Sequence, residues 1–254
     1  MITAGIDCGA KNVRVLVLGD GKLLGRGHSA AGTDPATAAE KAFDQALGAA
    51  GVARNVVTRV LATGTGKKEP AFSDDVVTEV GAVARGMHFL EPAVRTVIDV
   101  GAEQRTAVKL AADGGVVDFA INDKCAAGAG VFLEAMARAL EVPIEGIGPL
   151  SLESKTAVPI RARCVVFAET EVVSLVHQCT PKPDVARTIH DALADPISAM
   201  CRRLAVEAPV AVVGGVANNI GFRKALAEGL GSELVVVDEP EYVGALGAAL
   251  VATD

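Results

Sequence analysis

The stretch Gly5-Ile6-Asp7-Cys8-Gly9-Ala10-Lys11-Asn12 ends one apolar run and leads directly into another. The pattern predicts a buried strand over residues 2–8, a second strand over 13–18 and a third over 22–27. The polar stretch therefore joins two strands. Dinucleotide-binding and P-loop motifs lead from a strand into a helix, so neither motif fits here.

A similar arrangement returns further along the chain as Ile98-Asp99-Val100-Gly101, where Asp99 lies 92 positions after Asp7. Strands are predicted around it over residues 96–100, 106–110 and 116–121. Two strand-turn-strand units of the same pattern indicate a duplicated domain.

The remaining chain predicts alternating helices and strands. Asp34 before Pro35 is typical of a helix start. Helices are predicted over residues 34–50, 131–140, 165–176, 184–206, 218–230 and 241–251, and strands over 56–62, 210–213 and 234–237. The order predicts an α/β protein with two lobes. We place the first lobe at residues 1–94, with helix 241–254 packing back on it, and the second at 95–240.

Composition excludes several classes of protein. Half of the 254 residues are hydrophobic, which excludes wholesale disorder. A net charge of −7 gives no general attraction to nucleic acid. We therefore expect no nucleic-acid partner. We also expect no membrane association, because no apolar run approaches the roughly 18 residues that a membrane-spanning helix needs. Asp7 interrupts the first apolar segment, so we expect no signal peptide and a cytoplasmic protein.

Two Asp-x-Gly loops, one in each predicted lobe, are typical of phosphate binding. Their backbone N–H groups could bind phosphate oxygens, with Asp7 and Asp99 holding a hydrated Mg²⁺ between them. The candidate residues beside the phosphates are Gly9, Ala10, Lys11, Asn12, Gly101 and Ala102. Each loop alone is more often an ordinary turn.

A third segment, Val213-Gly214-Gly215-Val216-Ala217-Asn218, predicts a strand ending in bare backbone before a helix. Gly214, Gly215 and Asn218 are therefore candidates for nucleoside contact. In this order and spacing, the three segments resemble the actin, Hsp70 and sugar-kinase superfamily. That resemblance implies two ribonuclease-H-like lobes with an ATP cleft between them.

The five cysteines are widely spaced and form no CxxC pair, so neither a disulfide framework nor a zinc ribbon is predicted. Cys125 and Cys164 each precede a predicted helix, where N–H groups and the helix dipole stabilise a thiolate. Small residues after Cys125, including Gly128, leave room for a bulky group. A buried structural thiol is the commoner fate of an isolated cysteine, so both interpretations stay open.

Four segments carry a closer resemblance: NDKCAAGAG (122–130), RCVVFAETEVVSLV (163–176), VVGGVANN (212–219) and PEYVGALGAAL (240–250). They are similar to ATP-dependent activators of 2-hydroxyacyl-CoA dehydratases and to the ATPase subunits of ATP-dependent benzoyl-CoA reductase. The loops GIDCGAKN (5–12) and VIDVGAEQ (97–104) point to the branch nearer the reductase subunits.

The resemblance implies a homodimer, or a pseudo-symmetric heterodimer with a paralogue, that holds one [4Fe-4S] cluster on its two-fold axis. Cys125 and Cys164 of each subunit would supply the four thiolates that such a cluster needs. It further implies binding of ATP or ADP with Mg²⁺, and a ferredoxin or flavodoxin as electron donor. The electron acceptor would be the catalytic subunits of an acyl-CoA dehydratase or benzoyl-CoA reductase.

Both phosphate loops depart from the family pattern. The first usually has Ser and Thr after its glycine, but here it reads Ala10-Lys11-Asn12; Lys11 either neutralises phosphate charge or is solvated. The second often reads Gly-Gly-Gln-Asp, but here Ala102-Glu103-Gln104 follow Gly101. Glu103 or Gln104 could orient the attacking water. Together with Asp7 and Asp99 they are the candidate catalytic residues.

Three other functions use similar ATP loops: a small-molecule kinase, an actin-like filament protein, and a scaffold that binds ATP without turnover. None of them needs Cys125 or Cys164. Iron content of the purified protein separates them from an electron-transfer protein. Residues 67–69, Lys-Lys-Glu, predict a solvated loop beside a glycine-rich turn at Thr63-Gly64-Thr65-Gly66.

Overall fold

The computed structural model describes residues 1–122, 130–156, 158 and 165–254. The chain forms two compact units. One comprises Met1–Val97, Leu110–Val117 and Val237–Asp254, and the other comprises Ile98–Lys109 and Asp118–Val236. The division predicted at residues 94/95 and 240/241 stays a prediction.

The first sheet has the strand order β3-β2-β1-β4-β5. Its strands are β1 (Ile2–Cys8), β2 (Asn12–Gly19), β3 (Lys22–Ala30), β4 (Arg59–Thr63) and β5 (Asp75–Val76). The central strand β1 pairs antiparallel with β2 and parallel with β4. Its residues are almost all buried, as expected for a strand that is covered on both faces.

The second sheet has the strand order β10-β9-β6-β7-β8. Its strands are β6 (Thr96–Val100), β7 (Arg105–Leu110), β8 (Val116–Asn122), β9 (Val210–Val213) and β10 (Leu234–Val235). Read from β8, each strand corresponds to one in the first sheet, with β6 in the place of β1 and β9 in the place of β4. This repeated order agrees with the duplication that the two Asp-x-Gly loops indicated.

The helices of the described residues are α1 (Pro35–Ala50), α2 (Glu79–Leu90), α3 (Gly130–Ala139), α4 (Ile144–Leu152), α5 (Val165–His177), α6 (Lys182–Leu204), α7 (Ile220–Leu230) and α8 (Val243–Val251). As predicted, α1 is capped by Asp34, whose carboxylate accepts from Thr37 N at 3.0 Å. The helix α6 contains Pro196 and continues through it.

Helices α1 and α8 lie unusually close to the first sheet because small residues meet there. A Cβ at Gly27 on β3 would lie 1.8 Å from the carbonyl oxygen of Ala42 on α1. On β1, a Cβ at Gly5 would lie 2.0 Å from Ala245 O on α8. The Thr3 hydroxyl also donates to Ala249 O at 3.0 Å. The alanine-rich helices therefore pack backbone against backbone on these strands.

The core of the second unit is built on β6 and β9. Fully buried side chains from the sheet and from α3, α6 and α7 pack together, among them Ile98, Met136, Ile189, Val212 and Phe222. The helices α6 and α7 bury their apolar faces against this layer, as their spacing of apolar residues requires.

Helices α2 and α4 were not predicted because each contains residues that disfavour helices. The helix α2 carries Gly81 and Gly86, and α4 carries Pro149 together with two glycines. Tertiary packing explains Gly86, where a Cβ would lie 2.3 Å from Val243 O on α8. The close helix contact outweighs the low intrinsic propensity.

Among the described residues, no helix combines the length and the apolar character that crossing a lipid bilayer requires.

Candidate nucleotide site

The first predicted phosphate loop is a tight turn at the end of β1. Gly9 N donates to Asn12 O at 3.0 Å, which closes the turn, and Ala31 N donates to Lys11 O at 2.9 Å. Ala10 and Lys11 are exposed at its tip. The Asn12 side chain hydrogen-bonds His28 Nε2 at 2.9 Å. The sequence thus places Asp7 at the strand end and a hydrogen-bonded turn immediately after it.

The Asp7 carboxylate is enclosed by two glycines. A Cβ at Gly64 would lie 2.5 Å from Asp7 Oδ1, and a Cβ at Gly244 would lie 3.0 Å from Asp7 Oδ2. Burial raises the pKa of Asp7 from its usual 3.8 to about 6, the Arg14 charge opposes this rise, and Glu79 adds to it. A cation bound beside Asp7 would lower this pKa again, because it favours the ionised form.

The second predicted phosphate loop has the same geometry in the other unit. Gly101 N donates to Gln104 O at 2.9 Å, matching the bond from Gly9 to Asn12. Asp99 lies at the end of β6 and Glu103 is exposed at the turn. Gly101 and Ala102 also accept hydrogen bonds at 2.9 Å from Gly130 N and Val131 N, the first residues of α3.

The predicted nucleoside segment begins at Gly214, directly after β9. Gly214 has φ +85°, and a Cβ there would lie 2.4 Å from Asp99 Oδ1 and 2.5 Å from Val100 O. A 3₁₀ turn, Gly215–Asn218, follows before α7, with Gly215 and Asn218 exposed. We predicted one helix over residues 218–230; instead Asn219 caps α7, accepting from Phe222 N at 2.9 Å.

Sequence reasoning missed the counterpart of Gly214 in the first unit. Gly64 has φ +90°, and its Cβ would meet Asp7 Oδ1 at 2.5 Å and Cys8 O at 2.6 Å. Each unit therefore places a glycine of positive φ against its aspartate and the next carbonyl group. The internal repeat was the signal that could have found this residue, because Gly64 follows β4 as Gly214 follows β9.

Two basic residues of the first unit, Arg14 and Lys67, were also missed or misread. Arg14 is the residue opposite Asp7 in the antiparallel pairing of β1 with β2, and its guanidinium lies 5.9 Å from the Tyr242 ring centroid. Lys67 was predicted in a solvated loop. It is instead half-buried, and its ammonium contacts Glu79 Oε1 at 3.1 Å and Gly64 O at 3.4 Å.

The structure thus brings the predicted residues together within each unit. In the first, Asp7 is joined to the turn that contains Gly9, Ala10, Lys11 and Asn12. In the second, Asp99 lies with the turn of Gly101, Ala102, Glu103 and Gln104 and against Gly214. The role of each residue in nucleotide binding or catalysis stays a prediction.

The predicted metal ligands Cys125 and Cys164, together with Gly128, lie outside the described residues. Within the described part, no group of three or more His, Cys, Asp and Glu side chains is arranged to hold a metal ion. Cys8 and Cys201 are buried, and burial raises the pKa of each thiol to about 11. Such thiols are poor ligands, and Cys179 is exposed.

Replacing Asp7 by asparagine is expected to stabilise the ligand-free protein at neutral pH. Because the folded state raises the Asp7 pKa, it binds the proton more tightly than the unfolded chain does, and stability falls as pH rises from about 4 through about 6. Asp7→Asn removes this penalty of about 2 kcal/mol above pH 6, allowing for partial exposure. Urea unfolding at pH 4.5 and 7.5 measures the difference.

The control for this prediction is Asp44→Asn on the exposed face of α1. It should leave the free energy of unfolding within about 0.5 kcal/mol of the wild type at both pH values. If the Asp7→Asn protein is no more stable than the wild type at pH 7.5, then ionisation of the Asp7 carboxylate does not destabilise the folded protein, and the prediction is wrong.

Comparison with known proteins covers the whole chain. The family model described as "BadF/BadG/BcrA/BcrD ATPase family" matches residues 4–252 of this chain. The solved activator of the 2-hydroxyisocaproyl-CoA dehydratase from Clostridium difficile with bound ADPNP has a TM-score of 0.94 at 36% identity, covering 99% of this chain and 94% of that one. A benzoyl-CoA reductase subunit of Thauera aromatica is 33% identical, over 98% of this chain and 92% of that protein.

A more distant likeness concerns the fold alone. A glucokinase of the ROK family from Streptomyces griseus has a TM-score of 0.63 at 16% identity, covering 100% of this chain and 99% of that one. Together with the two repeated sheets, this likeness confirms the predicted fold class: an α/β protein of two ribonuclease-H-like units, with the fold that sugar kinases have. The match from residue 4 to residue 252 further shows that the chain belongs to the BadF/BadG/BcrA/BcrD ATPase family.

Proposed function

We propose that this chain is an ATPase that activates an acyl-CoA dehydratase, or serves a benzoyl-CoA reductase, by delivering electrons at low potential. The observation that carries the proposal is similarity along the full chain. An activator with a bound ATP analogue and a reductase subunit both match at least 98% of it, at 36% and 33% identity.

The ATP-binding part rests on the two repeated loops. Asp7 and Asp99 end equivalent strands, and the turns after them have matching hydrogen bonds. Carboxylates at such positions hold a hydrated Mg²⁺, and the backbone N–H groups of the turns bind phosphate oxygens. The carboxylate of Asp7 fits a cation because it is half-buried and glycines, Gly64 and Gly244, border both of its oxygens. Glu103 or Gln104 would orient the attacking water.

The electron-transfer part rests on two cysteines. When bound, a [4Fe-4S] cluster supplies one-electron transfer at low potential. Cys164 directly precedes α5, where the free N–H groups of the helix start favour a thiolate. Cys125 and Cys164 offer two ligands per chain, so four require a second copy or a paralogue related by a two-fold axis.

The partners follow from the same relatives. One relative is named for 2-hydroxyisocaproyl-CoA dehydratase and the other for benzoyl-CoA reductase, so the catalytic partner acts on an acyl-CoA in both cases. A ferredoxin or flavodoxin would supply the electron. A small-molecule kinase is not favoured, because the sugar kinase matches at only 16% identity and supports the fold alone.

Serine substitution of the two cysteines tests the electron-transfer part. The wild-type protein, purified without oxygen, is expected to be brown with about four irons per dimer. Cys125→Ser and Cys164→Ser are each expected to lose the iron and the visible absorbance while still binding MgATP. Iron and sulfide analysis with nucleotide titration measures both properties on the same samples.

Cys179→Ser is the matched control because this cysteine is exposed and lies outside the proposed ligand set. It is expected to keep its iron. Full iron in Cys125→Ser or Cys164→Ser, or a colourless wild-type protein that binds ATP, would overturn the electron-transfer proposal and leave an ATP-binding protein of another function.

A further inference from the structure

Thr63, the last residue of β4, has a buried hydroxyl that no sequence pattern singles out. Its side chain is 1% exposed, and Oγ1 makes no hydrogen bond to any residue that the structure describes. A buried hydroxyl normally has a partner, because leaving it unpaired carries the full cost of removing it from water. The unpaired oxygen therefore needs an explanation.

The register of the sheet places this hydroxyl beside Asp7. Thr63 and Asp7 are paired across the parallel strands β4 and β1, so their side chains emerge on the same face from strands about 4.8 Å apart. The Asp7 side chain is half-buried. An unpaired, buried hydroxyl thus lies beside a half-buried carboxylate.

A water molecule can satisfy both groups. It can donate to the carboxylate and make a second hydrogen bond with the hydroxyl, and a water bound to a cation is a stronger donor than a free one. Gly64 and Gly244 leave the space at the carboxylate that such a ligand needs, since a Cβ at either position would lie within 3.0 Å of Asp7.

The other unit does not repeat this feature. Gly214 lies against Asp99 as Gly64 lies against Asp7, but the residue before Gly214 is Val213, which has no hydroxyl. The two pseudo-equivalent carboxylates therefore differ in one respect. Only the first has a buried hydroxyl in the preceding position of the neighbouring strand.

We propose that Thr63 is a positioning residue of the magnesium–nucleotide site, where its hydroxyl and the Asp7 carboxylate together hold one water of the hydrated Mg²⁺. This inference rests on the proposed ATPase function, and it adds a residue to that site. The hydroxyl fixes the position of the water, and the carboxylate supplies the charge. The asymmetry between Thr63 and Val213 assigns this role to the first unit.

Thr63→Val and Thr63→Ser test the proposal in the full-length protein. Valine keeps the shape and matches Val213, but it removes the hydroxyl, whereas serine retains the hydroxyl. We expect Thr63→Val to raise the Mg²⁺ concentration needed for half-maximal ATP binding about tenfold. That is the effect of one lost hydrogen bond to a charged group. Thr63→Ser should stay within about twofold of the wild type. Mg²⁺ titration with a fluorescent ATP analogue measures both.

Two further measurements separate this role from a purely structural one. ATP binding in EDTA should be the same for Thr63→Val and the wild type. The melting temperature of Thr63→Val should equal or exceed that of the wild type, since an unpaired buried hydroxyl has been removed. A role in folding alone would instead lower the melting temperature and leave the Mg²⁺ titration unchanged.

The outcomes distinguish this inference from the proposed function. A wild-type protein that binds no MgATP would overturn the proposed function itself. A wild type with Mg²⁺-dependent ATP binding whose Thr63→Val variant titrates identically would overturn only the role of Thr63. If Thr63→Val fails to fold, a tenfold loss of Mg²⁺ affinity in Thr63→Ser would contradict the proposal, because serine retains the hydroxyl.

Discussion

Replacing Gly247 by alanine is expected to destabilise the first unit by about 3 kcal/mol or more, which lowers its melting temperature by roughly 6–12 °C. A Cβ at this position of α8 would lie 1.7 Å from the carbonyl oxygen of Ala82 on α2 and 2.5 Å from its carbonyl carbon. The atoms that the added Cβ would meet belong to the backbone of Ala82, so the clash cannot be relieved by rotating a side chain. The two helices must separate instead.

That separation cannot be confined to one contact. On its other side α8 packs on β1, where a Cβ at Gly5 would lie 2.0 Å from Ala245 O and 2.3 Å from Ala249 N. Moving α8 away from α2 therefore presses it into the sheet. Thermal unfolding followed by circular dichroism measures the change, and a melting temperature within about 2 °C of the wild type would contradict the close packing.

Gly48→Ala is the control, because Gly48 is also a helical glycine. A Cβ there meets nothing within 4 Å on the exposed face of α1. Alanine has the higher helix propensity, so we expect Gly48→Ala to stabilise the protein by about 0.5–1 kcal/mol. The same substitution should thus lower the free energy of unfolding in α8 and raise it in α1.

The fold could be predicted from the sequence because its strongest signals are local. A strand, a polar turn and a second strand are visible at Asp7 and again at Asp99, and the repeat indicates two similar units. The capped helix after Asp34 was predicted for the same reason. In each case the residues that decide the structure lie within a few positions of one another.

Other parts could not be predicted because the deciding contacts are distant in sequence. The sequence of α2 has a poor helical pattern because it contains glycines. The reason for Gly86 is its close contact with Val243 on α8, which lies more than 150 residues away in the sequence. The same holds at the candidate site. Gly64 has the pattern of an ordinary turn residue, and only the parallel pairing of β1 with β4 brings it to the carboxylate of Asp7.

Sequence identity does not separate the two branches of the family. Both phosphate loops suggested the benzoyl-CoA reductase branch, yet the activator and the reductase subunit match at similar identity, 36% and 33%. The branch therefore stays a prediction that co-purification from the native host can test.

Replacing Gly214 by alanine is expected to lower nucleotide affinity by up to about 100-fold, the upper end of the effect of losing one hydrogen bond to a charged group. Alanine at φ +85° and ψ +172° lies in a region that is essentially limited to glycine, with a backbone strain of about 1–3 kcal/mol. Its Cβ would also lie 2.4 Å from Asp99 Oδ1 and 2.5 Å from Val100 O, so the carboxylate or the end of β6 must move. Titration with a fluorescent ATP analogue measures the affinity.

Gly231→Ala is the control for an alanine placed at positive φ in the same unit. Gly231 ends α7 in the left-handed helical region, with φ +65° and ψ +30°, and a Cβ there meets nothing within 4 Å. We expect this variant to lose about 1 kcal/mol in stability and to keep its nucleotide affinity. Equal affinity in both variants would mean that the contact between Gly214 and Asp99 has no part in nucleotide binding. A 100-fold loss in Gly214→Ala alone would make that contact the point where the second unit positions its carboxylate.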